Sequence, residues 1–243
     1  MKTTKYSALA FALAATVSNA ATTSLSFWGY DRYAGSTPYY THYQVTTDTP
    51  EPAIASIDLY DSGWGNTPGG KSAYHYMSSI EDAYNNTGLA RSIGWHHYEL
   101  VFNDLTMAAS LLVDGSTIRT GTYANIPTKF HVVFHNSYGT IQEAVIDDFE
   151  YRLDGSLVYQ QGFESSTLDA GWSITRLDAG TYISSGDPTT PHTGAGALAL
   201  GASTGGQRAN IVTFDLTSVP EPSICILNLI AAGCVFLRRH RNR

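Results

Sequence analysis

Residues 21–218 contain no cysteine; the chain's two, Cys225 and Cys234, both lie close to its C-terminal end. That span therefore has neither a disulfide nor a thiol nucleophile. Positive charge is scarce there too, with 8 Lys or Arg against 20 Asp or Glu, a formal charge of −12 inside a chain whose total is −7. Such a surface repels phosphate backbones and anionic lipid heads, which excludes nucleic acid as a partner and suits an extracellular protein. Also missing is any window with apolar residues at i, i+3, i+4 and i+7 over helical length, so an α-helical body is excluded. No Gly-x-Ser-x-Gly elbow, His-Glu-x-x-His or phosphate loop occurs.

The two ends hold most of the apolar length. Lys2 and Lys5 precede an apolar run at 8–17 and then Ser18-Asn19-Ala20, the form of a signal peptide cleaved by signal peptidase after Ala20. At the other end Val219-Pro220-Glu221-Pro222 leads into an apolar stretch at 224–237 and a basic end, 238–243, containing Arg238, Arg239, His240, Arg241 and Arg243. Fourteen residues fall short of the roughly 20 of a usual spanning helix, but four arginines oppose burial in a core, and a basic flank stays cytoplasmic. A short apolar helix with transient membrane insertion is the expectation.

This order of Val-Pro-Glu-Pro, short apolar helix and arginine-rich end resembles the PEP-CTERM sorting signal of Gram-negative bacteria that make exopolysaccharide. The resemblance implies a transpeptidase-like partner, exosortase, that reads residues 219–222, and a destination at the cell surface or in the extracellular matrix. It implies nothing about chemistry.

Between the ends, short alternating or β-branched runs recur near 25–30, 39–46, 53–60, 95–102, 108–113, 130–135 and 143–153, and again near 157–163, 171–175, 195–200 and 210–216. Eleven short strands predict an all-β antiparallel sandwich or jelly roll. Asp114-Gly115 and Asp154-Gly155 sit between apolar runs, as a two-residue primed hairpin turn requires. Trp28, Trp95 and Trp172 each abut an apolar strand pattern and read as core.

Ser26-Phe27-Trp28-Gly29-Tyr30-Asp31, 91–98, Val113-Asp114-Gly115 and Ile146-Asp147-Asp148-Phe149 resemble concanavalin A-like and laminin-G-like sandwiches and carbohydrate-binding jelly rolls. Gly162-Phe163-Glu164-Ser165, Gly171-Trp172 and 193–198 resemble the opening strands of the same kind of module, here placed after the closing strand. The order leaves two arrangements open: a circularly permuted single sandwich in which 154–218 completes 21–153, or a sandwich at 21–153 with a small β-appendage.

If the Asp154-Gly155 hairpin continues unbroken, Val145 stands opposite Glu164 with Asp147 one diagonal away on the same face. The resemblance implies a structural calcium held by Asp147, Asp148 and Glu164; solvated strand-edge charges are the other reading of the same carboxylates. His131 and His135 share a strand face but lie roughly 13 Å apart, and His96 and His97 point to opposite faces, so neither pair ligates one ion. A sugar platform needs exposed aromatic faces; Tyr39, Tyr40, Trp64, Tyr74 and Tyr76, in or beside Gly- and Pro-rich loops, are the candidates, with ordinary β-surface tyrosine as the other reading. Retaining glycosidases of the concanavalin-like fold set two carboxylates about 5 to 5.5 Å apart on one strand. The stretch from Glu143 to Glu150 misses that spacing, and in simple alternation those two residues face opposite sides. The expectation is a non-catalytic, exported β-sandwich that binds extracellular polysaccharide, with a structural or adhesive matrix protein as the alternative and a hydrolase third.

Overall fold

A computed structural model describes residues 22–32, 39–47, 53–59, 75–81, 85–136, 143–187, 191–202 and 208–219. The expected sorting motif from Pro220 onward, the apolar stretch 224–237, the expected leader 1–20, Trp64 and Tyr74 lie outside these. Among the described residues no helix is long and apolar enough to cross a membrane.

Among the described residues fifteen strands build two antiparallel sheets, a β-sandwich. Sheet A contains β1 (Thr22–Asp31), β6 (Gly94–Asn103), β7 (Ala108–Val113), β8 (Ser116–Thr122), β10 (Glu143–Leu153), β11 (Ser156–Gln161), β13 (Thr181–Ser184) and β14 (Leu198–Ala202), ordered β13-β14-β10-β1-β6-β7-β8 with β11 also on β10. Sheet B contains β2 (Tyr39–Thr46), β3 (Ala55–Leu59), β4 (His75–Ile80), β5 (Asn85–Ala90), β9 (Lys129–Asn136), β12 (Trp172–Leu177) and β15 (Arg208–Asp215), ordered β12-β15-β9-β2-β3-β4-β5. The strands after Gly155 thus enter both sheets: β14 pairs with β10, and β15 with β9. Four strands, β4, β5, β8 and β13, carry too few apolar residues in alternation to be read from the sequence.

Alternation explains the core. On β1 the odd positions Thr23, Leu25, Phe27, Gly29 and Asp31 are buried and the even ones half-buried. On β6, Tyr98, Leu100 and Phe102 face them across the sheet register. Sheet B returns Tyr43, Val45, Ile57, Phe130, Val132, Phe134, Val212 and Phe214, all fully buried. An aromatic group joins the layers, with Phe149 5.0 Å from both Trp172 and Phe214 and 5.3 Å from Phe130 between ring centroids; such pairs add about 0.5–1.5 kcal/mol each beyond area burial. Trp172 is core, as expected. Trp28 and Trp95 are not: both stand on the outer face of sheet A. Phe27 and Trp28 are adjacent and apolar, so the run alone leaves its inward parity open, and Leu25 with Phe27 settles it.

Both Asp-Gly turns are primed hairpins, with φ of 50° and 75° at Asp114 and Gly115 and of 49° and 76° at Asp154 and Gly155. The second hairpin does not run on in one register. A bulge shifts β11 after Arg152↔Leu157, and pairing with β10 ends at Phe149↔Gln161. From Ile146 to Glu143 that edge of β10 belongs to β14, so Val145 faces Ala199 and not Glu164.

A second bulge sits on the other edge of β10: Ser26 pairs with Glu150 and Trp28 with Asp147, so Asp148 and Phe149 together oppose Phe27. Asp148 takes the left-handed conformation at φ 49°, which Asp tolerates better than most residues. The extra residue changes the parity of the strand. Ala144 and Ile146 point inward before it, and Phe149, Tyr151 and Leu153 after it. Glu143 and Glu150 consequently share the outer face instead of opposing each other, roughly 20 Å apart at about 3.3 Å per residue, far beyond the separation of a catalytic pair.

On the outer side of sheet B, His131 is 1% exposed. Its Nδ1 lies 2.8 Å from Thr213 Oγ1 and its Nε2 2.9 Å from Thr46 Oγ1. Burial, helped by Lys129, pushes its pKa down to about 4 from 6.5. The folded state then binds fewer protons than the unfolded chain between those values. Stability is complete above pH ~6.5, declines as pH falls toward ~4 and levels off below, a loss of order 3 kcal/mol. Urea titrations across that range should show this decline in the native protein and a flatter profile in His131→Gln.

Candidate aromatic and acidic site on the outer face of sheet A

The even positions of β1 and the odd positions of β6 place Trp28, Tyr30, Trp95 and His97 side by side on the outer face, because Trp28 pairs with His97 and Tyr30 with Trp95. Tyr30 and Trp95 meet edge-on at 5.4 Å, and Trp28 and His97 are tilted at 5.3 Å. A further ring comes from the segment before β14. His192 stacks on Trp28 at 4.0 Å and 15°, and meets Trp95 edge-on at 5.3 Å. Across β10 and β14 the surface is small: Val145, Ala197 and Ala199 pack beneath Tyr30, Trp95 and Tyr182. A Cβ on Gly201 would collide with the Tyr182 ring, so glycine there lets that ring lie on the sheet. The Tyr182 hydroxyl donates to Glu143 Oε2 at 2.7 Å, and Glu143 also pairs with Arg32, whose guanidinium stands 5.4 Å over Tyr30. Burial, then the bond to Glu143, raises the Tyr182 pKa above its ordinary value.

Asp147 holds this arrangement together. It faces outward beside Trp28 and yet is fully buried, since the segment carrying His192 lies over it. Its Oδ1 accepts from Asp148 N–H at 2.8 Å, and its Oδ2 from His192 N–H at 2.9 Å and Thr193 N–H at 3.2 Å. Burial pushes its pKa up against the three N–H groups, which pull it down. Asp148 binds the same segment through side chains: its Oδ2 lies 2.8 Å from His192 Nδ1, and its Oδ1 accepts from the Thr193 hydroxyl at 2.7 Å. Glu164 Oε2 accepts from Ala195 N–H at 2.7 Å. Gly194, at φ +62°, leaves room for that carboxylate, which a Cβ would strike.

The three residues expected around a calcium therefore do converge on one segment, 192–195, in unequal roles. Asp147 has both oxygens engaged by backbone N–H and no exposed surface, so it does not fit as a ligand. Asp148 Oδ1 and Glu164 Oε1 each lie 3.8 Å from the point a Cβ of Gly162 would occupy, and hard carboxylate oxygens suit calcium. Among the described residues no group of three or more His, Cys, Asp or Glu side chains has metal-site geometry.

The loop aromatics fare differently. Tyr76 is 1% exposed, packed in the core against Tyr98 at 6.0 Å and His96 at 5.9 Å; burial raises its pKa, and it cannot serve as a sugar platform. It is the inward member of β4, a strand the sequence pattern did not reveal. Tyr40 lies on the outer face of sheet B beside His135, and Tyr39 opens β2 opposite Asn136. Trp28, Tyr30, Trp95 and His192, which the sequence reading did not select, form the aromatic surface instead.

No protein-family model matches the chain, and no curated protein matches it. Among solved structures it is similar to a sialidase, at a TM-score of 0.32 and 11% identity over 78% of this chain and 13% of that one. It is also similar to an endo-1,3-beta-glucanase from Streptomyces sioyaensis, at a TM-score of 0.29 and 12% identity over 80% of this chain and 64% of that one. The chain spans 13% and 64% of the lengths of these two proteins. Likeness at this level carries nothing into the functional reading, which rests on the residues.

Removing the Asp147 carboxylate strands three backbone N–H groups in a buried place. Asp147→Ala should cost about 3 kcal/mol in a denaturant titration, whereas Asp169→Ala, at an exposed position, should stay within about 0.5 kcal/mol.

Proposed function

We propose that the chain is a non-catalytic, exported β-sandwich protein of the cell surface or extracellular matrix, which binds polysaccharide on the outer face of sheet A. The observation that carries this reading is the half-buried cluster of Trp28, Tyr30, Trp95 and His192 on a sheet face that alternation would otherwise leave polar. Indole and phenol faces stack on the apolar faces of sugar rings, while Arg32, Glu143 and Tyr182 at the margin can bond hydroxyls. The −12 charge of residues 21–218 favours a neutral polymer over an anionic one. Export by signal peptidase at Ala20, and sorting by exosortase at Val219, Pro220, Glu221 and Pro222, belong to the same reading and rest on the resemblance of the two ends. The wide separation of Glu143 and Glu150 supports the absence of glycosidase chemistry.

One observation favours the alternative, a structural or adhesive matrix protein without a small ligand: His192 already covers one face of Trp28 at 4.0 Å. Binding of the full chain to an array of neutral glycans decides between the two. The polysaccharide reading expects binding that Trp95→Ala weakens at least tenfold at a temperature where the variant is still fully folded. Silence across the array favours the structural protein.

A structural calcium at Asp148 and Glu164, bracing segment 192–195, forms part of this proposal. Chelation should then lower the melting temperature by several degrees, with recovery on adding calcium and no response in Glu164→Gln. A native melt indifferent to chelator removes the ion from the account.

A further inference from the structure

The outer face of sheet B carries a second cluster, remote from the aromatic patch. His42 on β2 and His135 on β9 occupy neighbouring antiparallel strands, where His42 pairs with Val133 and Tyr40 with His135. Both histidines are half-buried, and their neighbours Tyr43 and Phe134 point into the core, so the two imidazoles share the outward face. Their positions are diagonal, roughly 7 to 8 Å apart, a span that two histidine side chains can close around one ion. The rings sense each other: burial first and then His42 hold the His135 pKa below its usual value. Tyr40 stands nearly parallel to both, with centroids 5.7 Å from His135 and 6.4 Å from His42.

The support behind His42 is what distinguishes this pair from other surface histidines. Its Nδ1 lies 2.6 Å from Asp58 Oδ1. Asp58 is fully buried although it too faces outward, and its Oδ2 accepts from the Ser56 hydroxyl at 2.7 Å. Ser56 in turn lies 2.8 Å from the Ser79 hydroxyl. A carboxylate fixed in this way accepts the hydrogen bond of the imidazole Nδ1–H and so sets the neutral tautomer, in which Nε2 carries the ring's lone pair. That is the outer-sphere arrangement that supports imidazole bound to a metal.

We propose that His42 and His135 form a two-histidine site for a divalent transition ion of the zinc class, with Asp58 as the positioning residue. The donor set decides the class. Neutral imidazoles suit borderline ions, while calcium and magnesium require several oxygens. Two protein ligands leave coordination positions for water or for a group on another molecule. The charged neighbours act in both directions: Arg176 disfavours a cation beside His135 and Asp178 favours it, and these two are paired with each other at 2.9 Å.

Calorimetric titration of the full chain with zinc chloride tests the site. One equivalent should bind, and His42→Gln and His135→Gln should each weaken binding at least tenfold. Asp58→Asn should weaken it about tenfold while both ligands remain. Should a variant fail to fold, imidazole nitrogen resonances of the native protein give the same decision, since zinc must shift those of His42 and His135. The proposal is overturned if the native chain binds no stoichiometric zinc, if either glutamine variant binds as well as the native chain, or if the shifted resonances belong to other histidines.

Discussion

Asp147 is ionisable, wholly buried, and on the solvent side of its sheet, and three backbone N–H groups make that placement tolerable. An uncompensated buried carboxylate costs several kcal/mol, and acceptance from oriented amides offsets most of it. The same bonds bring segment 192–195 down onto sheet A, and with it the ring of His192 onto Trp28. Loss of the carboxylate would free the backbone N–H groups of His192 and Thr193 and leave the segment to its bonds with Asp148 and Glu164. The candidate site depends in this sense on a buried carboxylate, with Asp148 and Glu164 holding the same segment beside it.

The bulge at Asp148 makes the arrangement geometrically available. Without it, β10 could not point Ala144 and Ile146 into the core and then Phe149, Tyr151 and Leu153 as well. It lies where the edge of β10 passes from β14 to β11, and Asp147 and Asp148 fill the interval with carboxylates that segment 192–195 satisfies. Small residues complete the fit, since Ala197, Ala199 and Gly201 keep the sheet low enough for Tyr182 and the segment to lie on it. Glu164, from beyond β11, closes the far end at Ala195.

Much of the fold was legible in the sequence because alternation is a strong signal where one face is buried. β2, β7 and β10 begin and end where the pattern places them, and the two Asp-Gly turns form as their chemistry requires. β4, β5, β8 and β13 escaped because residues such as Asn85, Asn86, Thr117 and Thr120 pair by backbone hydrogen bonds with little apolar periodicity to announce it. The aromatic surface was legible in principle. Once Leu25 and Phe27 are assigned inward, Trp28 and Tyr30 must point out, and Trp95 follows from Tyr98 and Leu100 by the same count. What no pattern could supply is His192, whose position depends on a contact 45 residues away in sequence, with Asp147. Tyr76 shows the converse, an aromatic residue beside a glycine-rich stretch that long-range packing draws into the core.

Amide hydrogen exchange at His192 and Thr193 reads the bonds to Asp147 one by one. Both lie outside any strand and would exchange within seconds in an open segment. If their N–H groups are bound to the buried Asp147 carboxylate, they should be protected to the same extent as the ladder amides of β10. Exchange at the rate of exposed turns, with β10 itself protected, would mean that Asp147 does not hold the segment.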